Sequence, residues 1–279
     1  MKNNDSLGGD RKRNYDLTDF DTRNLDPQDV VSLLPKRIFK YFSINDNTLD
    51  VIRHGRLWYS SPKAFNDPFD CKVRIDFGTN KSEILKNLND FLPDDLGHLW
   101  SGEEMIGIFD DPKKANTLLN QIFSTGFNDH LGVCCFSEIP NIPLMWSHYA
   151  SSHSGICLEF GMETPNFIRE NLIPVNYYSE YPEFVLSENS GDLYMFLMQL
   201  IASKSHDWDY EFEWRSITEE GGNRLYGFDK ASLKGIIFGV NTSEEHMDGI
   251  KELISKSGYR DVQFKKAVLD DKRFGLKIM

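Results

Sequence analysis

The sequence predicts an α+β fold built on a mixed, mainly antiparallel sheet flanked by helices, with a helical insertion over about residues 81–127. Three observations predict it. Short apolar or alternating runs recur from residue 37 to the C-terminus, each bounded by turn-forming residues. Stretches with apolar residues at helical spacing stand between them, and strands are denser in the second half than in the first. The chain has 279 residues, 40% hydrophobic and 27% charged, enough for the core of one large domain.

Residues 1–34 are rich in Asn, Asp, Arg and Gly and poor in apolar side chains, so they read as a flexible arm suited to a protein partner. Residues 35–279 read as a single α+β domain that includes the insertion. Residues 37–42 form a first strand. A helix follows over 48–54, with Leu49, Ile52 and Arg53 at helical spacing and Gly55 placed to end it. Residues 57–60 make a second strand, and 61–70 (SPKAFNDPFD) a turn-rich loop. A third strand is expected over 71–77, and helices over 82–91 and about 103–127. The run LGVCCFS at 131–137 is continuously apolar enough for a central strand buried on both faces. A short helix over 143–151 and a strand over 155–160 (GICLEF) come next, then a strand over 173–178. The helix expected over 191–205 places Leu193, Phe196, Leu197, Leu200 and Ile201 on one face. Strands over 210–217 and 235–240, a helix over 243–257, and strands over 263–269 and 275–278 complete the sheet. Gly221 and Gly222 suit a hairpin-like turn.

Composition and motif content argue against several classes. A net charge of −12 and a pI near 5.1 argue against an extended nucleic-acid surface. The basic run Arg11-Lys12-Arg13 sits among acidic residues and reads as solvated tail. Apolar runs are too short for a membrane span, and the polar start carries no signal region. Cys71, Cys134, Cys135 and Cys157 show neither CxxC spacing nor a disulfide framework; Cys134, Cys135 and Cys157, inside apolar strand-like runs, read as small core hydrophobes, and the compartment as reducing, the cytoplasm. No Walker loop, GxGxxG, GxSxG or zinc pattern occurs.

Three constellations carry chemistry. In Tyr210-Glu211-Phe212-Glu213-Trp214-Arg215, strand alternation would turn the three aromatic rings to a core and Glu211, Glu213 and Arg215 to the other face. Two carboxylates with one guanidinium suit a site where one Glu is held ionised and the other is tuned by its neighbour; a solvated face with a cross-strand ion pair fits the spacing equally. In Leu144-Met145-Trp146-Ser147-His148-Tyr149-Ala150, a short helix after a buried strand offers His148 as a base or donor and Tyr149 as a stacking platform. A histidine bonded to a backbone carbonyl is the plainer alternative. In Phe65-Asn66-Asp67-Pro68-Phe69-Asp70, Asn and Asp cap turns while the rings pin the loop, and a structural role suffices.

Taken together, FNDPFD (65–70), CFSE (135–138), MWSHYA (145–150), GICLEF (155–160), KSHDWDYEFEWR (204–215) and IIFG (236–239) resemble one widespread family of bacterial cytoplasmic proteins, a domain of unknown function. The opening order is also similar to the ADP-ribosyltransferase fold: a strand with Lys40-Tyr41, a helix closing at Gly55-Arg56-Leu57, and a strand ending Ser60-Ser61. That resemblance implies a split sheet gripping NAD as co-substrate, with Glu211-Phe212-Glu213 as the Glu-x-Glu of a late strand. It implies Glu213 stabilising the ribose cation and Glu211 orienting or deprotonating the acceptor; His148, read from its place on the short helix, is a further catalytic candidate. Lys40, Tyr41, Ser60, Trp146, Tyr149 and Arg215 would hold the cofactor, with Arg215 and Lys40 on the pyrophosphate and Tyr149 and Trp146 as aromatic wall. Lys40 stands where the fold usually has Arg or His. The implied function is an ADP-ribosyltransferase-like enzyme of stress, toxin or phage-defence type. The alternatives are a ligand-sensing or protein-interaction module, and a metal-assisted hydrolase or nuclease using Asp67, Asp70, Glu138, Glu211 and Glu213.

Overall fold

A computed structural model describes residues 15–20, 27–76, 131–185 and 193–279, with the single positions 111, 114 and 117. The strands are β1 (Arg37–Phe42), β2 (Arg56–Tyr59), β3 (Arg74–Asp76), β4 (Gly132–Ser137), β5 (Ile156–Gly161), β6 (Leu172–Pro174), β7 (Asn176–Tyr178), β8 (Glu183–Val185), β9 (Ser203–Ser205), β10 (Glu213–Thr218), β11 (Arg224–Gly227), β12 (Leu233–Phe238), β13 (Gln263–Leu269) and β14 (Leu276–Ile278). The helices are α1 (Pro27–Leu33), α2 (Asp46–His54), α3 (Pro143–Tyr149), α4 (Phe167–Glu170), α5 (Leu193–Ile201) and α6 (Glu244–Lys256).

Eight strands form one sheet in the order β14-β13-β12-β5-β1-β4-β10-β6. Only β12 and β13 run parallel; the other neighbours are antiparallel. The fold is therefore α+β with a large, mostly antiparallel sheet, as the periodicity predicts. Pleating splits β1 between two cores: Ile38 packs into the larger one, which also holds residues of α2 and α6, and Phe39 and Tyr41 pack with Met145 and Trp146 of α3. The continuously apolar runs of β4 and β5 lie in the interior of the sheet, the place that burial on both faces demands. Helix α2 begins at Asn45, whose side chain accepts from the Thr48 N–H, and ends at Gly55 in the left-handed region (φ 64°).

One junction is incomplete. β1 pairs with β5 at six successive positions but with β4 only at Phe39 opposite Ser137. At the other end of β4, Val133 exchanges hydrogen bonds with Ser60 instead. Beside this gap the Lys40 ammonium of β1 donates to the Cys135 carbonyl of β4 at 2.8 Å. The sheet is thus continuous in order but opened between β1 and β4.

Several expected elements differ. Part of the stretch read as a flexible arm is folded: Leu17, Phe20 and Val30 are buried, and the rings of Tyr15 and Phe20 meet Trp214 of β10 at 5.3 and 5.9 Å. Asn176 clamps Tyr15, accepting from its N–H at 2.7 Å and donating to its carbonyl at 2.8 Å. Sparse apolar residues suffice here because Leu17, Phe20 and Val30 all join the main core. Residues 1–14 and 21–26 lie outside the described residues, as does the expected insertion apart from Asp111, Lys114 and Thr117. The helix expected over 191–205 stops at Ile201, and 203–205 form β9, parallel to β7. The strand expected over 210–217 begins only at Glu213. Ser205 caps a 3-10 turn over His206–Glu211 by accepting from the Asp207 N–H, and Phe212 follows in the left-handed region (φ 46°). The turn at Gly221 and Gly222 does not close a hairpin, because β11 pairs with β2 and not with β10.

Candidate functional site

The opening between β1 and β4 leads to a cavity of about 140 Å³. β1 supplies Lys40 and Tyr41 to its lining, β4 supplies Cys135 and Ser137, and α3 supplies Tyr149. The loop after β2 brings Phe65, Asn66 and Asp70, β9 brings Lys204, and the segment entering β10 brings Glu211 and Glu213.

The buried heart of the site is a network of ion pairs. Lys204 Nζ lies 2.6 Å from Glu211 Oε2, 2.6 Å from Glu213 Oε2 and 3.8 Å from Asp70 Oδ2. Arg215 donates from Nε to Glu213 Oε1 at 2.8 Å and from Nη2 to both Asp70 oxygens at 2.9 and 2.8 Å. Its Nη1 donates to the Ile201 carbonyl and to the Cys71 sulfur. The Tyr149 hydroxyl donates to Glu211 Oε1 at 2.8 Å, and the Glu213 N–H donates to the Tyr177 hydroxyl at 2.7 Å. Three carboxylates (Asp70, Glu211, Glu213) thus face two cations (Lys204, Arg215), leaving one negative charge in excess within contact range. The Lys40 ammonium lines the same cavity and compensates at longer range.

The two glutamates are tuned apart. Burial acts to raise the Glu213 carboxyl, but Arg215 and then Lys204 outweigh it and hold the group well below the usual carboxylate range. Burial also raises the Glu211 carboxyl. Lys204 pulls it down, the charge on Glu213 adds to burial, and it stays above its ordinary value. Lys204 itself would be lowered by burial, yet Glu213, Glu211 and Asp70 lift it well above the ordinary ammonium value. Burial, then the Glu211 charge, raises the Tyr149 hydroxyl, so it remains a donor. Burial likewise lifts the thiols of Cys71, Cys134, Cys135 and Cys157, all of them free cysteines, so none offers a ready thiolate.

The structure brings Glu211, Glu213, Lys40, Tyr41 and Tyr149 to one cavity. Arg215 adjoins it but has 0% exposure, and its fork is taken up by Asp70, Glu213, Ile201 and Cys71; it is not placed to meet a pyrophosphate. Trp146 is fully buried, with its Nε1–H on the Pro140 carbonyl and its ring edge-on to Tyr41 at 5.2 Å, so it supports Tyr41 from behind and forms no wall. Ser60 is committed to its pairing with Val133, away from the cavity lining. His148 is exposed, with ring contacts to Tyr149 and Trp208 at 6.2 and 6.3 Å, and does not line the cavity either. Trp146 and His148 depart because a helix turns successive residues to different faces; Arg215 shares the face of Glu213 but its guanidinium is already taken up by buried partners.

Lys204 is the principal residue that sequence reasoning missed. It lies within the KSHDWDYEFEWR motif, but a helix expected over 191–205 gave it no reason to face the glutamates. Asp70 reads from the sequence as a turn residue or a metal ligand, and the structure makes it the partner of Arg215. Among the described residues no group of three or more His, Cys, Asp or Glu side chains is arranged to hold a metal ion. The site's carboxylates turn onto Lys204 and Arg215 instead of onto a shared empty point.

Residues 145–216 are similar to a family described as protein of unknown function (DUF2971). That stretch contains Tyr149, Lys204, Glu211, Glu213 and Arg215, whereas Lys40 and Asp70 lie before it. No curated protein and no solved structure matches the chain. Among the described residues no helix is long and apolar enough to cross a membrane.

Proposed function

We propose that the protein is an ADP-ribosyltransferase-like enzyme that cleaves the glycosidic bond of NAD, with Glu211 as the working carboxylate. The observation that carries this reading is the pair of adjacent glutamates with opposite shifts at one cavity, since environments that push two carboxyls apart assign them different roles. Glu213 is saturated by Arg215 and Lys204 and serves as fixed negative charge. Glu211 is the more basic of the two, and its Oε1 and Oε2 are oriented by Tyr149 and Lys204.

Size supports the reading as well. A cavity of about 150 Å³ holds one benzene ring, so about 140 Å³ suits the nicotinamide ring and little more. Tyr41, Phe65 and Tyr149 supply aromatic surface around it. When the ribose–nicotinamide C–N bond breaks, its electron pair leaves with nicotinamide, which becomes neutral, and positive charge develops on the ribose. The carboxylates of Glu211 and Glu213 are already held in place by Lys204 and need little reorganisation to face that cation. Glu211 then accepts the proton of the acceptor nucleophile as that nucleophile bonds to the ribose carbon, a role worth roughly 10²–10⁴-fold in rate. The free thiols support the cytoplasm as the setting.

The test is nicotinamide release from NAD by the full chain, beside Glu211→Gln and Glu213→Gln variants checked for folding. Wild type should release nicotinamide, and Glu211→Gln should lose roughly 10²–10⁴-fold of that rate. Absence of both release and NAD-induced thermal stabilisation in the wild type would refute the reading.

A further inference from the structure

A second groove, of about 410 Å³, has Lys204 in its lining, as the catalytic cavity does, so the two spaces are neighbours. The cavity has room for one ring, and the larger part of a dinucleotide must lie elsewhere. The groove offers what that part needs. Phe69 and Tyr181, 59% and 43% exposed, both line it, along with Tyr178. Phe69 is not a loose loop tip: Asp67 accepts from its backbone N–H at 2.8 Å, and the next residue, Asp70, is locked onto Arg215. A phenyl ring held out of the core by a pinned loop keeps apolar area in water that burial would otherwise remove. A planar ligand ring laid against it recovers that area.

The groove also carries positive charge. Lys72 is exposed, stands 5.7 Å from the centre of the Phe69 ring, and has no ion-pair partner among the described residues. Arg74 pairs with Glu183 at 3.6 Å, but both side chains are more than half exposed, so a phosphate can displace that contact at little cost. Glu180 is the one acidic residue of the lining.

We infer that this groove binds the nucleoside-phosphate end of the substrate, with the base against Phe69 and Tyr181 and the phosphates between Lys72 and Arg74. The inference rests on the NAD reading for the identity of the ligand, and on the groove alone for its chemistry.

The experiment is calorimetric titration of the full chain with ADP, on wild type and on Lys72→Glu, Phe69→Ala and Glu211→Gln, alongside the KM for NAD. Wild type should bind ADP at one site. Lys72→Glu should weaken it by roughly 10–100-fold, the value of a charge-assisted hydrogen bond, and Phe69→Ala should weaken it in the same direction. Glu211→Gln should leave ADP affinity unchanged. Both altered groove residues are exposed, so loss of folding does not confound the result. ADP failing to bind wild type, or binding all variants equally, overturns the groove. Nicotinamide release with an unaltered KM in Lys72→Glu would remove the groove and leave the proposed activity standing. ADP binding that Lys72→Glu abolishes, without any nicotinamide release, would keep the groove and remove the NAD reading.

Discussion

Replacing Lys204 with methionine keeps the unbranched stem and removes a single charge. That ammonium sits 2.6 Å from two glutamates and 3.8 Å from Asp70, with its side chain only 8% exposed. At the effective permittivity typical of such sites, a pair 4 Å apart interacts by roughly 4 kcal/mol. The gross attraction is therefore large, and what is lost on removing one side of a buried pair is about 3–5 kcal/mol, because the carboxylates stay behind uncompensated. The assay is urea unfolding of Lys204→Met against wild type at pH 8 and at pH 5. The loss should be near the full value at pH 8 and smaller at pH 5. Without Lys204 to pull it down, the Glu211 carboxyl rises further and takes up a proton, which removes the unbalanced charge. Adding Glu211→Gln to Lys204→Met should recover stability at pH 8. A loss below about 1 kcal/mol, the scale of an exposed pair, or an equal loss at both pH values, would refute the account of the network as buried and charge-limited.

Three more outcomes follow from the same geometry. The Glu211 carboxyl is raised in the fold, so its protonated form favours the folded state, and its contribution is lost as pH rises from about 4.5 through its folded value. Glu213, being depressed, contributes stability above about 4.5 that is lost as pH falls. Glu211→Gln should therefore flatten the decline of unfolding free energy with rising pH above 4.5; parallel curves for variant and wild type would contradict the assignment. Tyr149→Phe removes one donor to the Glu211 carboxylate, should cost about 1 kcal/mol, and should move the acidic limb of the nicotinamide-release profile upward; an unmoved limb would detach Tyr149 from Glu211. Phe20→Ala should cost roughly 3–5 kcal/mol in a thermal or urea melt, whereas a change within about 0.5 kcal/mol would mean that Phe20 is not packed on Trp214.

The sheet was legible because burial writes a period into the chain: GICLEF and LGVCCFS are apolar enough that no other place in a layered fold suits them. The helix before Gly55 was legible from its cap chemistry. Within the site, Glu213 and Arg215 were placed on one face by strand alternation, and they do meet across 2.8 Å. Glu211 joins them by another route, a 3-10 turn and the left-handed Phe212, which period-two reasoning does not contain. Lys204 and Asp70 were illegible as partners because they lie far apart in sequence and β9 is only three residues long, too short for any periodicity to register. The packing of Tyr15 and Phe20 was missed for a related reason. Three or four apolar residues in a polar stretch look like a tail until the surface that receives them is known.

The clamp of Asn176 on Tyr15 has a consequence for how the molecule comes into being. It joins positions 161 residues apart, and the site gathers residues from 40 to 215. A nascent chain that has not yet delivered Glu213 has no cavity to fill, and its first folded segment has no Trp214 to rest on. Structure of such high sequence separation closes late. The carboxylate cluster therefore cannot gather its partners until the chain has been made as far as Arg215.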